Sequence, residues 1–225
     1  MKIGLFGDSF ADNTGCDIWW KDLHCHGHTV QSFGRPGSSL SFSAGLLWNH
    51  ANQFDYLIWC VTSVNRVSFY FDDQDYHITN SFDGEINDSP VGQLKKISQQ
   101  YLGEVFDTHG HEVMGTFAVH GALQVFSNLM IIPCFENPVY FMKEPGFNLF
   151  QLSNQETAHY FPKQDVHSIH SRYIDLRPGH MTEQTGRILA RQVATAIDQG
   201  VKIFNSDYND FPAPIEPLDR VFQPR

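Results

Sequence analysis

Three short apolar runs constrain the fold of this chain more than any other feature. They are KIGLF at residues 2–6, FDYLIWCVTS at residues 54–63 and SNLMIIPCF at residues 127–135. Each is about as long as a strand, and nearly continuous apolar character is typical of strands buried on both faces. A shorter run, HTVQS at residues 28–32, predicts one more strand before a turn rich in glycine and proline.

Segments with helical spacing lie between and after these runs. They cover residues 14–24, 91–107 and 112–127. A last helix is predicted to follow Thr182 as its N-cap. Its buried face is predicted to consist of Ile188, Leu189, Val193 and Ile197. Strands that alternate with helices predict an α/β fold with a mainly parallel sheet of about four to five strands and right-handed crossovers.

The length of the chain favours a single domain. Its 225 residues can bury one sizeable core, and we expect that domain to cover residues 1–204. Two long, irregular and aromatic-rich segments, at about residues 66–93 and 137–172, are interpreted as loop insertions. Residues 205–225 form a proline-rich tail. The tail either wraps the surface or contacts a partner chain, and the sequence leaves both alternatives open.

Charge and hydropathy exclude several classes of partner. The formal net charge is −10, with only 15 lysine and arginine residues, which argues against binding to nucleic acid or to anionic membranes. No apolar run approaches the roughly 20 residues that span a bilayer, and a predicted strand stands where a signal peptide would begin. We therefore expect a small organic substrate, and a location in the cytoplasm or in a virus particle.

Cysteine and histidine residues offer a competing chemistry, namely metal binding. The four cysteines, Cys16, Cys25, Cys60 and Cys134, lack a short paired spacing and are predicted to be buried free thiols. The segment HCHGH at residues 24–28 resembles a ligand cluster, but no second cluster follows it. A structural or surface role is therefore favoured for these histidines over zinc binding. We expect no metal and no cofactor.

Four loops carry the residues that favour nucleophilic catalysis. The tripeptide GDS, ending at Ser9, directly follows the first strand, although its aspartate or serine could equally cap a helix. The other loops are GRPGSS around Gly37, TSVNR around Asn65 and DLRPGHMT with His180. If all four lie at the carboxyl edge of one sheet, they converge on one crevice. A serine nucleophile needs a base for its proton and donors for the oxyanion.

These four blocks, in this order, resemble those of the SGNH or GDSL family of serine esterases. The resemblance implies a flavodoxin-like three-layer α/β/α sandwich and a reaction that needs no cofactor. It implies that Ser9 is the nucleophile and His180 the general base. It also implies that the N–H groups of Ser9 and Gly37 form the oxyanion hole with the side-chain amide of Asn65. The implied substrate is a carboxylic ester, such as an acetylated carbohydrate or a short-chain lipid ester.

The sequence departs from the family pattern in two blocks. Ser63 and Arg66 stand where the third block has glycine and aspartate. Arg177 stands where the fourth block has its acid, three residues before the histidine. Asp175 is the candidate substitute for that acid, and Asp165 or a backbone carbonyl remains an alternative.

These departures motivate a second functional hypothesis. A chain that keeps the fold but has a weakened site would be a binding or structural module within a larger assembly, such as a virus particle. Fold alone does not decide between the two hypotheses, because one fold hosts many functions.

Overall fold

The computed structural model describes residues 1–13, 19–64, 66–71, 74–78, 96, 100–101, 107–135, 147–149, 152 and 183–211. Its strands and α-helices follow the order β1 (Lys2–Phe6), β2 (Thr29–Ser32), α1 (Leu40–His50), β3 (Tyr56–Val61), β4 (Val67–Phe71), β5 (Gln74–Ile78), α2 (Thr108–Val125), β6 (Leu129–Pro133) and α3 (Glu183–Asp198). Short 3₁₀ helices cover Trp19–His26, Ala51–Gln53 and Tyr208–Asp210.

Four of the described strands form one all-parallel sheet in the order β2-β1-β3-β6. Beyond β6, Ile203 forms a parallel bridge with Ile131, which extends the sheet by one residue. Two backbone hydrogen bonds secure this edge, from Ile131 N–H to the Lys202 carbonyl and from Phe204 N–H to the Ile131 carbonyl, each 2.8 Å long. The predicted α/β fold with a parallel sheet is therefore confirmed.

Helices cover both faces of the sheet because its central strands have no polar face. In β3, alternate residues enter different clusters: Ile58 and Cys60 pack on the side of α3 and the 3₁₀ helix Trp19–His26. Leu57, Trp59 and Val61 pack on the side of α1 and α2. Burying a large apolar side chain contributes roughly 1.5–3 kcal/mol, so the two clusters together drive folding.

The first predicted helix differs from the structure. Residues 14–18 of the predicted helix lie outside the described residues, and the remainder belongs to the 3₁₀ helix Trp19–His26. The indole N–H groups of Trp19 and Trp20 donate to the carbonyls of Phe10 and Asp12, at 2.8 and 3.2 Å. These tertiary hydrogen bonds fix the segment against the loop after β1, which a local helical pattern does not reveal.

The helix α1 was not predicted. Its N-cap is Ser39, whose hydroxyl accepts a hydrogen bond from the Phe42 N–H at 3.2 Å. The sequence of α1, LSFSAGLLWNH, mixes apolar residues, serines and a glycine and has weak amphipathic periodicity. A serine cap before an apolar stretch is the local signal that could have predicted its start.

A second correction concerns the segment at residues 66–93, which was interpreted as an irregular insertion. Its first part contains the antiparallel pair β4 and β5, in which Val67 is opposite Ile78 and Phe71 is opposite Gln74. The sequence VSFYF of β4 is rich in aromatic residues, as strands are. In the sequence, acidic residues follow β4 in place of the glycine that marks most tight hairpins. The hairpin of β4 and β5 was therefore not predicted.

Two of the other predicted helices can be compared with the structure. The helix predicted at 112–127 is α2, which begins earlier because Asp107 caps it through the His109 N–H at 3.1 Å. The C-terminal helix is confirmed as α3, with Leu189, Val193 and Ile197 buried. The segments 91–107 and 137–172 fall almost entirely outside the described residues. Among the described helices, none has the length and apolarity to cross a membrane.

The described part of the C-terminal tail packs on the body of its own chain. The Phe147 ring stacks on those of Tyr208 and Phe211, with centroids 5.4 and 5.9 Å apart. Phe211 is buried and belongs to the same apolar cluster as α3. A contact of residues 212–225 with a partner chain stays a prediction, because those residues lie outside the described part.

Candidate functional site

The strand order indicates that a ligand site would form beyond the carboxyl ends of β1 and β3. The chain passes from β1 to β2 on one side of β1, and from β2 to β3 on its other side. In an open parallel sheet, ligands bind at the edge where the strand order reverses in this way. The loop after β1 contains Ser9, and the loop after β3 contains Ser63, Asn65 and Arg66.

Gly7 makes the sharp bend between β1 and Ser9. Its φ of 149° lies in the region that favours glycine. A Cβ atom there would lie 2.7 Å from both the Cβ and the carbonyl oxygen of Cys60. The Gly7 carbonyl also accepts hydrogen bonds from the Arg35 N–H, at 3.1 Å, and from the Ser38 hydroxyl, at 3.2 Å. Both bonds hold the loop after β2 against the loop that carries Ser9.

Asp8 is a fully buried carboxylate that joins two loops. Its Oδ1 accepts from the Phe10 N–H at 3.1 Å, within the same loop. Its Oδ2 accepts from the Thr62 hydroxyl at 2.8 Å and from the Arg66 guanidinium, both beyond β3. The alternative in which Asp8 or Ser9 caps a helix is wrong for the described residues 7–13, which form turns without a helix.

Ser9 is the half-exposed residue between the buried Asp8 and Phe10. Among the described residues, none forms a hydrogen bond with its hydroxyl. Gly37, in the neighbouring loop after β2, has a φ of 73° and is also partly exposed. A half-exposed serine therefore lies beyond the carboxyl end of β1, next to the loop after β2 that the Gly7 carbonyl holds.

The remaining predicted site residues are not part of the described structure. Asn65 lies outside the described residues, although Val64 and Arg66 on either side are described. His180, Asp175 and Asp165 likewise fall outside them. The roles of all four in the site stay predictions from the sequence.

Arg66, which stands where the third block of the resembled family has aspartate, contacts an aromatic ring and a buried carboxylate. Its guanidinium lies 4.6 Å from the centroid of the Phe135 ring, and that ring contacts Phe10 edge-to-face at 5.9 Å. The arginine side chain is 15% exposed, and its carboxylate partner is fully buried. Sequence reasoning missed Thr62, Arg66 and Phe135. The signal was an aspartate directly after a buried strand, which needs a cationic partner.

The cysteines next to this site are not candidates for the nucleophile. Cys60 and Cys134 are buried free thiols, as predicted, whereas Cys25 is exposed, so the prediction is wrong for that residue. Burial raises the pKa of the Cys134 thiol well above its ordinary value, and the neighbouring Cys60 adds to this effect. A thiol held in its neutral form is a poor nucleophile. Cys16 lies outside the described residues.

The residues of the histidine cluster at 24–28 differ in their exposure to solvent. His24, Cys25 and His26 are exposed, whereas His28 is buried. Among the described residues, no three histidine, cysteine, aspartate or glutamate side chains are grouped so that they could hold a metal ion. Among the residues that the structure describes, none forms a hydrogen bond with the buried Nδ1 of His28. Burial lowers the pKa of His28 below its ordinary value of 6.5, and the positive N-terminus adds to the effect while Asp198 opposes it.

Comparisons with known proteins give no relative for this chain: no family model, no curated protein and no solved structure matches it.

The bend at Gly7 yields a first prediction. Gly7→Ala should lower the free energy of unfolding by about 3 kcal/mol, because the added methyl group meets the Cys60 carbonyl in a strained backbone conformation. Gly45→Ala is the matched control. Gly45 is an exposed position inside α1 where a Cβ meets nothing within 4 Å, so the variant should gain roughly 0.5–1 kcal/mol. Urea denaturation measures both, and a Gly7→Ala protein as stable as the wild type would contradict the geometry.

His28 yields a second prediction. Because its folded-state pKa is lowered, the unfolded chain binds more protons near and below pH 6.5. The free energy of unfolding should therefore fall as the pH drops from about 7.5 to 5.5. His28→Gln should make this dependence shallower, and His24→Gln, at an exposed position of the same cluster, is the control. Urea denaturation at several pH values measures the slopes, and an unchanged slope in His28→Gln would refute this assignment.

Proposed function

We propose that this chain is a serine hydrolase of the SGNH type that cleaves a carboxylic ester, with Ser9 as its nucleophile. The observation that carries the proposal is the position of Ser9. It is a half-exposed serine on a tight glycine turn, directly after a central strand and at the switch point of a parallel sheet. The order of the Gly37, Asn65 and His180 blocks in the sequence supports the same reaction class.

We also infer that the fold is the flavodoxin-like three-layer sandwich of that family. The strand order β2-β1-β3-β6, with a further bridge at Ile203, supports this inference. The division of the apolar core into one cluster on each face of the sheet supports it as well.

In the proposed reaction, the Ser9 hydroxyl attacks the ester carbonyl while His180 accepts its proton. The tetrahedral oxyanion is held by the N–H groups of Ser9 and Gly37 and by the side-chain amide of Asn65. His180 then returns the proton to the departing alcohol, which leaves Ser9 acylated. Water, deprotonated by His180, hydrolyses the acyl-enzyme and regenerates the serine. The reaction requires no metal or other cofactor.

The third member of the triad is proposed to be Asp175, which would orient the imidazole of His180 and stabilise its charged form. Asp165, or a backbone carbonyl, is the alternative. We propose a small ester or an esterified glycan as substrate, because the two aromatic-rich segments at 66–93 and 137–172 suit both sugar rings and acyl chains.

A binding or assembly module is the second candidate function. Exposed apolar side chains on the helices favour it: Met114 and Phe117 in α2 are 68% and 67% exposed, and Trp48 in α1 is 47% exposed. Large apolar surface on a monomer often marks a contact with another protein. A chain of this kind would keep the fold without rapid turnover, whether in the cytoplasm or within a virus particle.

The decisive test of the hydrolase proposal is the removal of its nucleophile and base. Ser9→Ala and His180→Ala should each lower turnover on the order of 10⁶-fold, because the two groups act as a unit. Turnover is measured on a panel of short-chain aryl esters and acetylated saccharides, and circular dichroism checks the fold. A fluorophosphonate probe should label the wild type and Ser127→Ala but not Ser9→Ala, because Ser127 is an exposed serine that precedes β6 at the opposite edge of the sheet.

Two outcomes would contradict this proposal. Ser9→Ala protein that retains substantial turnover excludes Ser9 as the nucleophile. A folded wild type that neither reacts with fluorophosphonate nor turns over any ester of the panel favours the binding module instead.

A separate prediction concerns the triad acid. Asp175→Asn should lower turnover by roughly 10⁴-fold near neutral pH, because an amide holds the imidazole in the wrong tautomer. If a backbone carbonyl orients His180, the loss should be less than about tenfold. Asp165→Asn is measured in parallel. A large loss in Asp165→Asn with none in Asp175→Asn would move the triad acid to the insertion.

A further inference from the structure

The proposed mechanism leaves one buried ionic interaction at the site without a role. Asp8 immediately precedes the proposed nucleophile Ser9, and its carboxylate is fully buried. Arg66 immediately follows Asn65, the proposed oxyanion donor, and its guanidinium pairs with Asp8. This ion pair therefore joins the two loops that carry the groups proposed to act on the ester carbonyl.

The hydrogen bonds of Asp8 show how the two loops are held. One carboxylate oxygen fixes the turn around Ser9 through the Phe10 N–H. The other oxygen accepts from Thr62 and Arg66, which both follow β3. The carboxylate therefore connects the loop after β3 to the turn that carries Ser9.

The charge of Asp8 matters as much as its hydrogen bonds. Attack of Ser9 on an ester creates a negative oxyanion at the residue that directly follows Asp8. The Asp8 and Arg66 side chains are 0% and 15% exposed, and charges at such buried positions interact more strongly than in water. An unpaired Asp8 would repel that oxyanion and raise the barrier to attack. The positive charge of Arg66 cancels this repulsion before the reaction begins.

Arginine suits this position better than lysine. The guanidinium is planar and has several nitrogens, so its central carbon lies over the Phe135 ring while one of its nitrogens donates to Asp8. Among the described residues, Asp8 is its hydrogen-bond partner and Phe135 its ring contact. Lysine would keep the charge but has no planar group that can cover the Phe135 ring while it donates to Asp8.

We infer that Arg66 is a positioning residue for ester hydrolysis, which acts through Asp8. It holds the Ser9 turn against the loop after β3 and neutralises the carboxylate beside the developing oxyanion. This inference rests on the proposed hydrolase function.

The test compares variants that leave different charges at the pair. Arg66→Met leaves an unpaired anion and should lower kcat for p-nitrophenyl acetate about 10²-fold with KM within about threefold. Asp8→Asn leaves a cation, which does not repel an oxyanion, and should lower kcat only about tenfold. The double variant has neither charge, and its kcat should recover to about that of Asp8→Asn. The rate of Ser9 labelling by a fluorophosphonate should follow the same order.

Stability is measured alongside, because breaking a buried ion pair also destabilises the fold. Arg66→Met should lower Tm by about 10 °C, and the double variant should regain part of that loss. All rates are compared at least 20 °C below the lowest Tm. Arg187→Met, which breaks the exposed pair between Arg187 and Asp22 at 4.0 Å, is the matched control and should change neither Tm nor kcat appreciably.

Three results would overturn the inference. One is an Arg66→Met protein with kcat within threefold of the wild type. Another is an equal loss of kcat in Arg66→Met and Asp8→Asn, since a purely structural pair does not distinguish the sign of the remaining charge. Should Arg66→Met fail to fold, Arg66→Lys is measured instead. It should lose about tenfold in kcat, and wild-type kcat in that variant is the third contrary result.

Failure of this inference is distinguishable from failure of the proposed function. An active Ser9→Ala protein refutes the hydrolase proposal and this inference with it. An inactive Ser9→Ala protein beside a fully active Arg66→Met protein refutes only the role of Arg66.

Discussion

Burial of β1 and β3 on both faces is the constraint on which the rest of this structure depends. A strand with no solvent-exposed face must be covered by helices on both sides, and parallel strands need long crossovers that supply those helices. Because β1 is a central strand, the chain leaves it at the edge formed by the carboxyl ends of the strands. It then forms β2 on one side of β1 and β3 on the other. The half-exposed Ser9 lies at that edge, so the same burial that stabilises the core also determines where a site can form.

The buried carboxylate of Asp8 is the main polar element at this edge. Transferring an ion from water to a protein interior costs several kcal/mol, and the cost is offset only when the ion is paired and its lone pairs are bound. Asp8 meets this requirement with Arg66, Thr62 and the Phe10 N–H. Arg66, which differs from the third block of the family that the sequence resembles, is thus the partner that this buried aspartate needs. A departure from a motif gains a physical explanation once its spatial neighbour is identified.

Prediction from the sequence succeeded where one element carries a strong periodic signal and failed where contacts decide. The four strands of the parallel sheet and α3 have patterns that burial imposes directly. By contrast, α1 has little amphipathic periodicity. Its capping serine and its apolar residues indicate a buried helix only when the sheet beneath it is known. The β4 and β5 hairpin depends on pairing between strands, and the 3₁₀ helix Trp19–His26 depends on hydrogen bonds from two indoles to a distant loop. None of these contacts is encoded in a local window.

The sequence by itself determined the α/β class, the parallel sheet and the position of Gly7 and Ser9 after the first strand, because hydrophobic patterning and glycine chemistry act over a few residues. Only the tertiary structure decided that Asp8 is buried rather than a helix cap and that Arg66 neutralises it. These two residues are 58 positions apart in the chain. The physical reason is that a charge–charge contact depends on distance in space, and strand order, which sets that distance, follows from how the whole chain packs.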